Sequence, residues 1–277
     1  MLKQRVITAV LLLAILLPCL FATTAWPFAV LTLIMIAAAG WEWARLNGQT
    51  QPLVVGAALA TVAAVCWSIL GLAQTPSWVW WLGMLIWVLG GAQALRSGVQ
   101  GWPLLPQAAR LALGLIALLL TWLAINAARA RGINFLLSTF CLVWAADIAA
   151  YFGGKAFGMR KLAPAISPGK SWEGVWSGMA GVMLLAVVWV LWIDEHLPVD
   201  SASFYQVMWQ NLGLVPTVLV LVFMCAMSVV GDLTESLVKR AGGAKDSSHL
   251  LPGHGGVLDR IDALLPTLPI ALALASI

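Results

Sequence analysis

The feature that most limits what this chain can fold into is a succession of long apolar runs. They lie at roughly 6–26, 28–45, 53–73, 77–95, 110–128, 133–153, 172–193, 213–233 and 260–277. Each approaches the ~20 residues that a helix needs to cross a hydrocarbon core. The second is short and the last ends at the terminus, so nine spans are expected, with eight as the alternative. In lipid the backbone polar groups must be satisfied within each segment, which makes the runs helices. Only 9% of the 277 residues are charged, against roughly 25% in a soluble domain, too few to cover a water-facing surface. The expected fold is therefore all-α, a polytopic transmembrane helical bundle. Trp26, Trp41, Trp43, Trp78, Trp172, Trp192 and Trp209 sit near run ends, where indoles suit the headgroup level.

The remaining composition excludes several classes. A net charge of +4 is too small to point to nucleic acid. Cys19, Cys66, Cys141 and Cys225 each lie inside an apolar run without CxxC or Cys/His spacing, which favours reduced thiols over disulfides or zinc. The N-terminus, Met1-Leu-Lys-Gln-Arg5, has a signal peptide as its competing reading. The run that follows exceeds the usual h-region and no clear Ala-x-Ala site follows it, so a retained first helix is expected.

With the N-terminus in the cytoplasm, thirteen of the fifteen Lys and Arg fall on or beside the cytoplasmic side, and only Arg129 and Arg131 fall outside. That is the orientation the positive-inside rule selects. Acids are asymmetric too: residues 1–146 hold one, Glu42, and the other ten lie between Asp147 and Asp262. Residues 1–132 are accordingly read as scaffold helices. Residues 133–277 are read as the catalytic region, with cytoplasmic loops at 154–171 and 234–259.

The first loop region carries Asp147, Tyr151, Lys155, Arg160, Lys161 and a Ser167-Pro-Gly-Lys170-Ser171 turn ahead of a helix. Backbone N–H groups and ammoniums at a helix start make an anion site. A Walker A loop is excluded, because Pro164 stands where its first Gly belongs. The second carries Asp232, Glu235, Lys239, Arg240, Lys245, Asp246, His254, Gly255, Gly256, Asp259 and Asp262. Asp232 with Glu235, and Asp259 with Asp262, share a helix face at three-residue spacing. Acids at membrane ends need cations or a metal, and hard divalent ions take carboxylate oxygens together with substrate phosphates. Salt-bridged helix ends, such as Arg260 with Asp262, would explain an isolated pair but not this density.

The stretch Ser236-x-x-Lys239-Arg240-x4-Lys245-Asp246-x7-His254-Gly255-Gly256-x-x-Asp259-Arg260-Ile261-Asp262 resembles the signature of the phosphatidate cytidylyltransferase family. The first loop is similar through Asp147, Tyr151, Gly154, Gly158, Lys161-Leu162, Pro164, Ser167-Pro168 and Lys170; Ser171 stands where that family more often has Thr, which keeps the hydroxyl. The strong similarity covers roughly 115 residues of the second half. The resemblance implies transfer of a cytidylyl group from CTP to phosphatidate, with pyrophosphate released, at the cytoplasmic face of a bacterial inner membrane. It implies Mg2+ as cofactor, more than one ion being expected and a monovalent cation being compatible. Under it, Asp232, Asp246, His254 and Asp259 are the catalytic candidates, and Asp232, Asp259 and Asp262 the metal candidates. Lys155, Lys161, Ser167, Lys170, Lys239, Arg240, Lys245, Gly255 and Gly256 are the substrate-binding candidates. Membrane lipid is a further partner, and a homodimer is compatible with such a scaffold. The rival readings are a CTP-dependent lipid kinase and an anion transporter; the latter conflicts with charges clustered at helix ends and the lack of a visible repeat.

Overall fold

The computed structural model describes residues 2–71 and 75–277. Met1 and residues 72–74 lie outside the described residues, as do the side chains of Leu2, Lys3, Arg5 and Leu70, so the expected N-terminal charges and the end of the run at 53–73 are not described. The helices are α1 (Leu2–Phe21), α2 (Trp26–Leu46), α3 (Pro52–Leu70), α4 (Ser77–Gly101), α5 (Gln107–Arg131) and α6 (Ile133–Phe157). They continue with α7 (Trp172–Val188), α8 (Asp194–His196), α9 (Phe204–Leu212), α10 (Leu214–Ala241), α11 (Leu258–Ile261) and α12 (Leu264–Leu274). Among the described residues seven helices are long and apolar enough to cross a membrane, beginning at Trp26, Pro52, Ser77, Gln107, Ile133, Trp172 and Leu214.

The first and last expected spans take other forms. The first contains a shorter apolar helix, Val6–Leu20. The last is divided into α11 and α12, although Asp262 and Ala263 at the join keep right-handed helical dihedrals. Every residue of α12 is buried, so this helix is core rather than lipid-facing. The far end of this segment still reaches the other side of the bundle, where Ala275 O accepts from Arg131 Nη1 at 3.0 Å and Ser276 Oγ meets Trp81 Nε1 at 3.2 Å.

Two further departures from the expected layout have local causes. The region 154–171 is only partly loop: α6 continues to Phe157, and β1 (Lys161–Ala163) pairs antiparallel with β2 (Ser167–Ser171), adding a small hairpin to an otherwise helical fold. The turn closes through Ile166 N–H donating to Ala163 O at 3.1 Å. In the second region α10 runs unbroken to Ala241, so Asp232, Glu235 and Lys239 are helical and the true loop spans 242–257. At 28 residues α10 is about 42 Å long, longer than a ~30 Å hydrocarbon core, and carries its polar turns beyond it.

Small residues let α7 pack closely on α6. On α7, Gly178 lies four residues after Gly174, and a Cβ added at Gly178 would sit 2.9 Å from Ala146 O of α6. Such small-xxx-small spacing lets backbones approach where lipid supplies no hydrophobic drive between helices. One expected interfacial indole is instead core: Trp43 is 5% exposed, its Nε1 donates to Arg110 O at 2.9 Å, and its ring meets Trp102 edge-on. Gly114 opens the space, since a Cβ there would fall 1.9 Å from the Trp43 ring. Trp26, Trp78, Trp172, Trp192 and Trp209 are exposed.

The polar segments collect at two ends. At one, Gln107 Nε2 donates to Asn47 O, Arg45 to Ser247 O, and Lys170 to Asp232. At the other, Arg129 donates to Ala22 O, and Asp200 accepts from the N–H groups of Ile133 and Asn134 that open α6. This is the alternation expected from the apolar runs.

Candidate active site

At the basic end α10 carries two ion-pair groups offset by three residues, about one turn. The first joins the two polar segments: Lys170 Nζ on β2 lies 2.5 Å from Asp232 Oδ2, with both side chains about a quarter exposed. Ser236 Oγ donates to Asp232 Oδ1 at 3.3 Å. Beside this pair a cleft of about 420 Å³ is lined by Asp147, Tyr151, Lys155, Ser167, Lys170 and Asp232, among others. That is within the size range of small-molecule sites. The expected candidates Lys155, Ser167, Lys170 and Asp232 therefore share one cleft, while Lys161 is exposed on β1 and is not among its lining residues.

Ser171 does not present α7's first N–H groups to an outside anion. Its Oγ accepts from Gly174 N–H at 3.2 Å and caps the helix. Glu173 accepts from the N–H groups of Met159 and Arg160, both at 3.1 Å, and pairs with Arg160 Nε. The helix start is thus already satisfied from within the chain, and the cations this segment brings to the cleft are Lys155 and Lys170.

The second group is Glu235–Lys239–Asp259. Lys239 Nζ sits 2.5 Å from Glu235 Oε2 and 2.6 Å from Asp259 Oδ1, and the Glu235 and Asp259 side chains are only 1% and 7% exposed. Asp259 Oδ2 accepts from Ser247 N–H at 2.9 Å, Ser247 Oγ at 2.8 Å and Gly256 N–H at 2.7 Å. Burial alone would raise the Asp259 carboxyl, but the Lys239 hydrogen bond, the Gly256 N–H, the Lys239 charge and the Ser247 hydroxyl outweigh it and hold it at about 2. Asp259 thus anchors the loop 242–257 and keeps only Oδ1, shared with Lys239, for another partner.

The His-Gly-Gly segment follows from the same anchor. Gly255 adopts φ +80°, and a Cβ on it would lie 2.6 Å from Asp259 Oδ2, so only glycine suits both dihedral and space. A Cβ on Gly256 would lie 2.1 Å from Ser247 Oγ and 2.2 Å from Glu42 Oε1. His254 is held by its backbone: its N–H donates to Leu251 O and its carbonyl accepts from Arg260 Nη2, both at 2.8 Å. Arg260 is thereby committed to the loop rather than to Asp262. The His254 Nδ1 atom is buried without a hydrogen-bond partner. Lys245 and Asp246 are exposed on the loop, and Arg240 Nε reaches Ile166 O of the hairpin at 3.4 Å.

Asp262 accepts from Ala263 N–H at 2.8 Å. Among the described residues no group of three or more His, Cys, Asp or Glu forms a ready-made metal cage. The trio Asp232, Asp259 and Asp262 is not preassembled as one.

One residue of this region escaped sequence reasoning. Glu42, on α2, is fully buried and accepts from Ser248 Oγ (2.5 Å), Leu258 N–H (2.7 Å), Val257 N–H (3.0 Å) and Ser247 Oγ (3.1 Å). The signal was visible as the lone acid of the first 146 residues, set in an apolar run; its partners, more than 200 residues away, were not.

The model of the family described as the cytidylyltransferase family matches residues 3–277. A Pseudomonas aeruginosa protein named phosphatidate cytidylyltransferase is 40% identical over 280 residues, 99% of this chain and 97% of that protein. A Haemophilus influenzae protein of the same name is 36% identical, over 97% of this chain and 96% of its own length. Another, from Brucella suis, is 42% identical over 134 residues, 48% of this chain and 44% of its own. With the match running through both polar segments and the helices that carry them, the chain belongs to the cytidylyltransferase family.

Proposed function

We propose that the protein is a phosphatidate cytidylyltransferase that transfers the cytidylyl group of CTP to phosphatidate, giving CDP-diacylglycerol and pyrophosphate. A phosphate oxygen of phosphatidate forms a bond to the α-phosphorus of CTP. The bond from that phosphorus to the bridging oxygen breaks, and its electron pair leaves with pyrophosphate. The nucleophile is already anionic and needs no strong base; the obstacle is repulsion between two polyanions, which fixed cations relieve. The observation that carries the reading is Lys170 Nζ against Asp232 Oδ2 at the rim of a cleft, an ammonium and a carboxylate poised to trade each other for phosphate and metal.

The carboxylates fit Mg2+ in the way that ion is usually bound, through one or two protein oxygens completed by substrate phosphates and water. Asp232, Asp262 and the Oδ1 of Asp259 would hold the metal, one or two of these oxygens to each ion, more than one ion being expected. When bound, Mg2+ would supply charge neutralisation at the phosphates. The chain's own groups do the rest: Lys155 and Lys170 receive phosphate oxygens in the cleft. Lys239 holds Asp259 and the His254–Gly256 segment in register. The acyl chains stay in the bilayer beside the helices. The basic end is assigned to the cytoplasm of a bacterial inner membrane on the positive-inside rule.

The test is an assay of purified protein in detergent with phosphatidate, CTP and Mg2+. Phosphatidate-dependent pyrophosphate release is expected. Release of CDP with a newly phosphorylated lipid would instead mark a lipid kinase and overturn the proposal.

A further inference from the structure

We propose that Glu42 is a positioning residue for the transfer reaction, fixing the loop 242–257 from the opposite half of the chain and acting through Asp259 and Lys239. The inference rests on the function proposed above. Glu42 is 0% exposed, and among the described residues it is in ion-pair contact with no cation. Burying a carboxylate without a counter-ion is costly, so its retention needs a compensating set of donors. It has four: two hydroxyls, Ser247 and Ser248, and two backbone N–H groups, Val257 and Leu258, at 2.5–3.1 Å. These donors sit in the middle of the loop and at its far end, so one carboxylate draws it closed across the eight residues between Ser248 and Val257.

The link to the reacting region is short. Ser247 gives its N–H to Asp259 Oδ2 and places its hydroxyl between Asp259 Oδ2 (2.8 Å) and Glu42 Oε2 (3.1 Å). Asp259 in turn holds Lys239 at 2.6 Å. Arg45, one turn beyond Glu42 on α2, donates to Ser247 O, so two α2 side chains grip the same residue. Gly256 leaves no room for slack, since any Cβ there would collide with Glu42.

Only an acceptor-only group suits these neighbours. A glutamine would turn its NH2 toward a backbone N–H that cannot reverse, and an aliphatic side chain would leave the Ser248 hydroxyl and the N–H groups of Val257 and Leu258 without this acceptor, the Ser247 hydroxyl keeping only Asp259. Glu42→Gln should therefore loosen the loop while leaving the bundle formed. Outer partners of reacting groups typically contribute 10–100-fold, so kcat for the variant should fall by about that factor, with the KM for phosphatidate close to wild type.

The experiment pairs kinetics with amide hydrogen exchange on the full-length protein in detergent. Glu42→Gln is expected to lower kcat and to speed exchange at Ser247, Val257 and Leu258, with α5 and α6 amides unchanged. Wild-type kcat, unchanged loop exchange, or faster exchange spread evenly over every helix would each overturn the proposal. If Glu42→Gln fails to accumulate, Ser248→Ala decides by the same readouts, and no change in either overturns it. Exchange needs no turnover, so the clamp is tested even if the wild-type protein proves not to transfer cytidylyl groups.

Discussion

Lys239 offers the most quantitative prediction, because two nearly inaccessible carboxylates depend on it. Glu235 and Asp259 lie 2.5 and 2.6 Å from its ammonium, with side-chain exposures of 1% and 7%. Lys239→Met keeps the packed stem and removes the charge, leaving both carboxylates without a cation. Removing one partner of a buried pair costs about 3–5 kcal/mol, which in a chain of this size corresponds to a melting shift of roughly 6–20 °C. Lys239→Met with Glu235→Gln should recover part of that loss, because one of the stranded charges is gone. The assay is thermal unfolding in detergent of the wild type, both single variants and the double variant. Coupling of about 0.5–3 kcal/mol is expected for groups in one network. Additive single effects, or a Lys239→Met protein as stable as wild type, would refute the view that this lysine neutralises the Glu235–Asp259 pair.

Other substitutions follow from the same geometry. Asp232→Asn should lower kcat by at least about 100-fold, since charge stabilisation of several kcal/mol is lost, while unfolding temperature changes little; steady-state kinetics beside thermal melts checks this. Gly256→Ala places a methyl within 2.2 Å of Glu42 Oε1 and should reduce kcat at least tenfold, about the smallest effect expected when a group that holds a reacting residue is displaced. Asp259 has its folded pKa depressed from 3.8 to about 2, so its stabilising contribution is complete above 3.8 and is lost as pH falls toward 2. In metal-free protein the melting difference between wild type and Asp259→Asn should be constant from pH 5 to 8 and shrink below 3.8; a difference that varied between pH 5 and 8 would contradict this.

The helical bundle was legible because hydropathy carries its own length scale: the runs at 133–153 and 172–193 became α6 and the α7 segment with little adjustment. That Lys170 and Asp232 share one end follows from the same runs, since Lys170 directly precedes the run at 172–193 and Asp232 closes the run at 213–233. What lay beyond the sequence was set by long-range contact. Trp43 has the sequence position of an interfacial indole, but Gly114 opens a core site opposite it, and α12 has the composition of a span, but α4, α5 and α10 enclose it. Glu42 seemed part of an inert scaffold because its partners, Ser247 to Leu258, are more than 200 residues away. The hairpin at Lys161–Ser171 escaped notice because three-residue and five-residue strands are too short for alternation to register. For Asp232, Lys239 and Asp259, residue type marks candidates but not their partners, and only the fold shows that Lys170 goes to Asp232 while Lys239 goes to Glu235 and Asp259.

The most direct measurement is the structure of the protein with a non-hydrolysable CTP analogue and Mg2+. The triphosphate is expected in the cleft between Lys155, Lys170 and Asp232, with the Lys170–Asp232 contact opened and the loop 242–257 still closed on Glu42. A nucleotide bound at the opposite end, beside Arg129 and Asp200, or a cleft left empty with Lys170 still on Asp232, would contradict it.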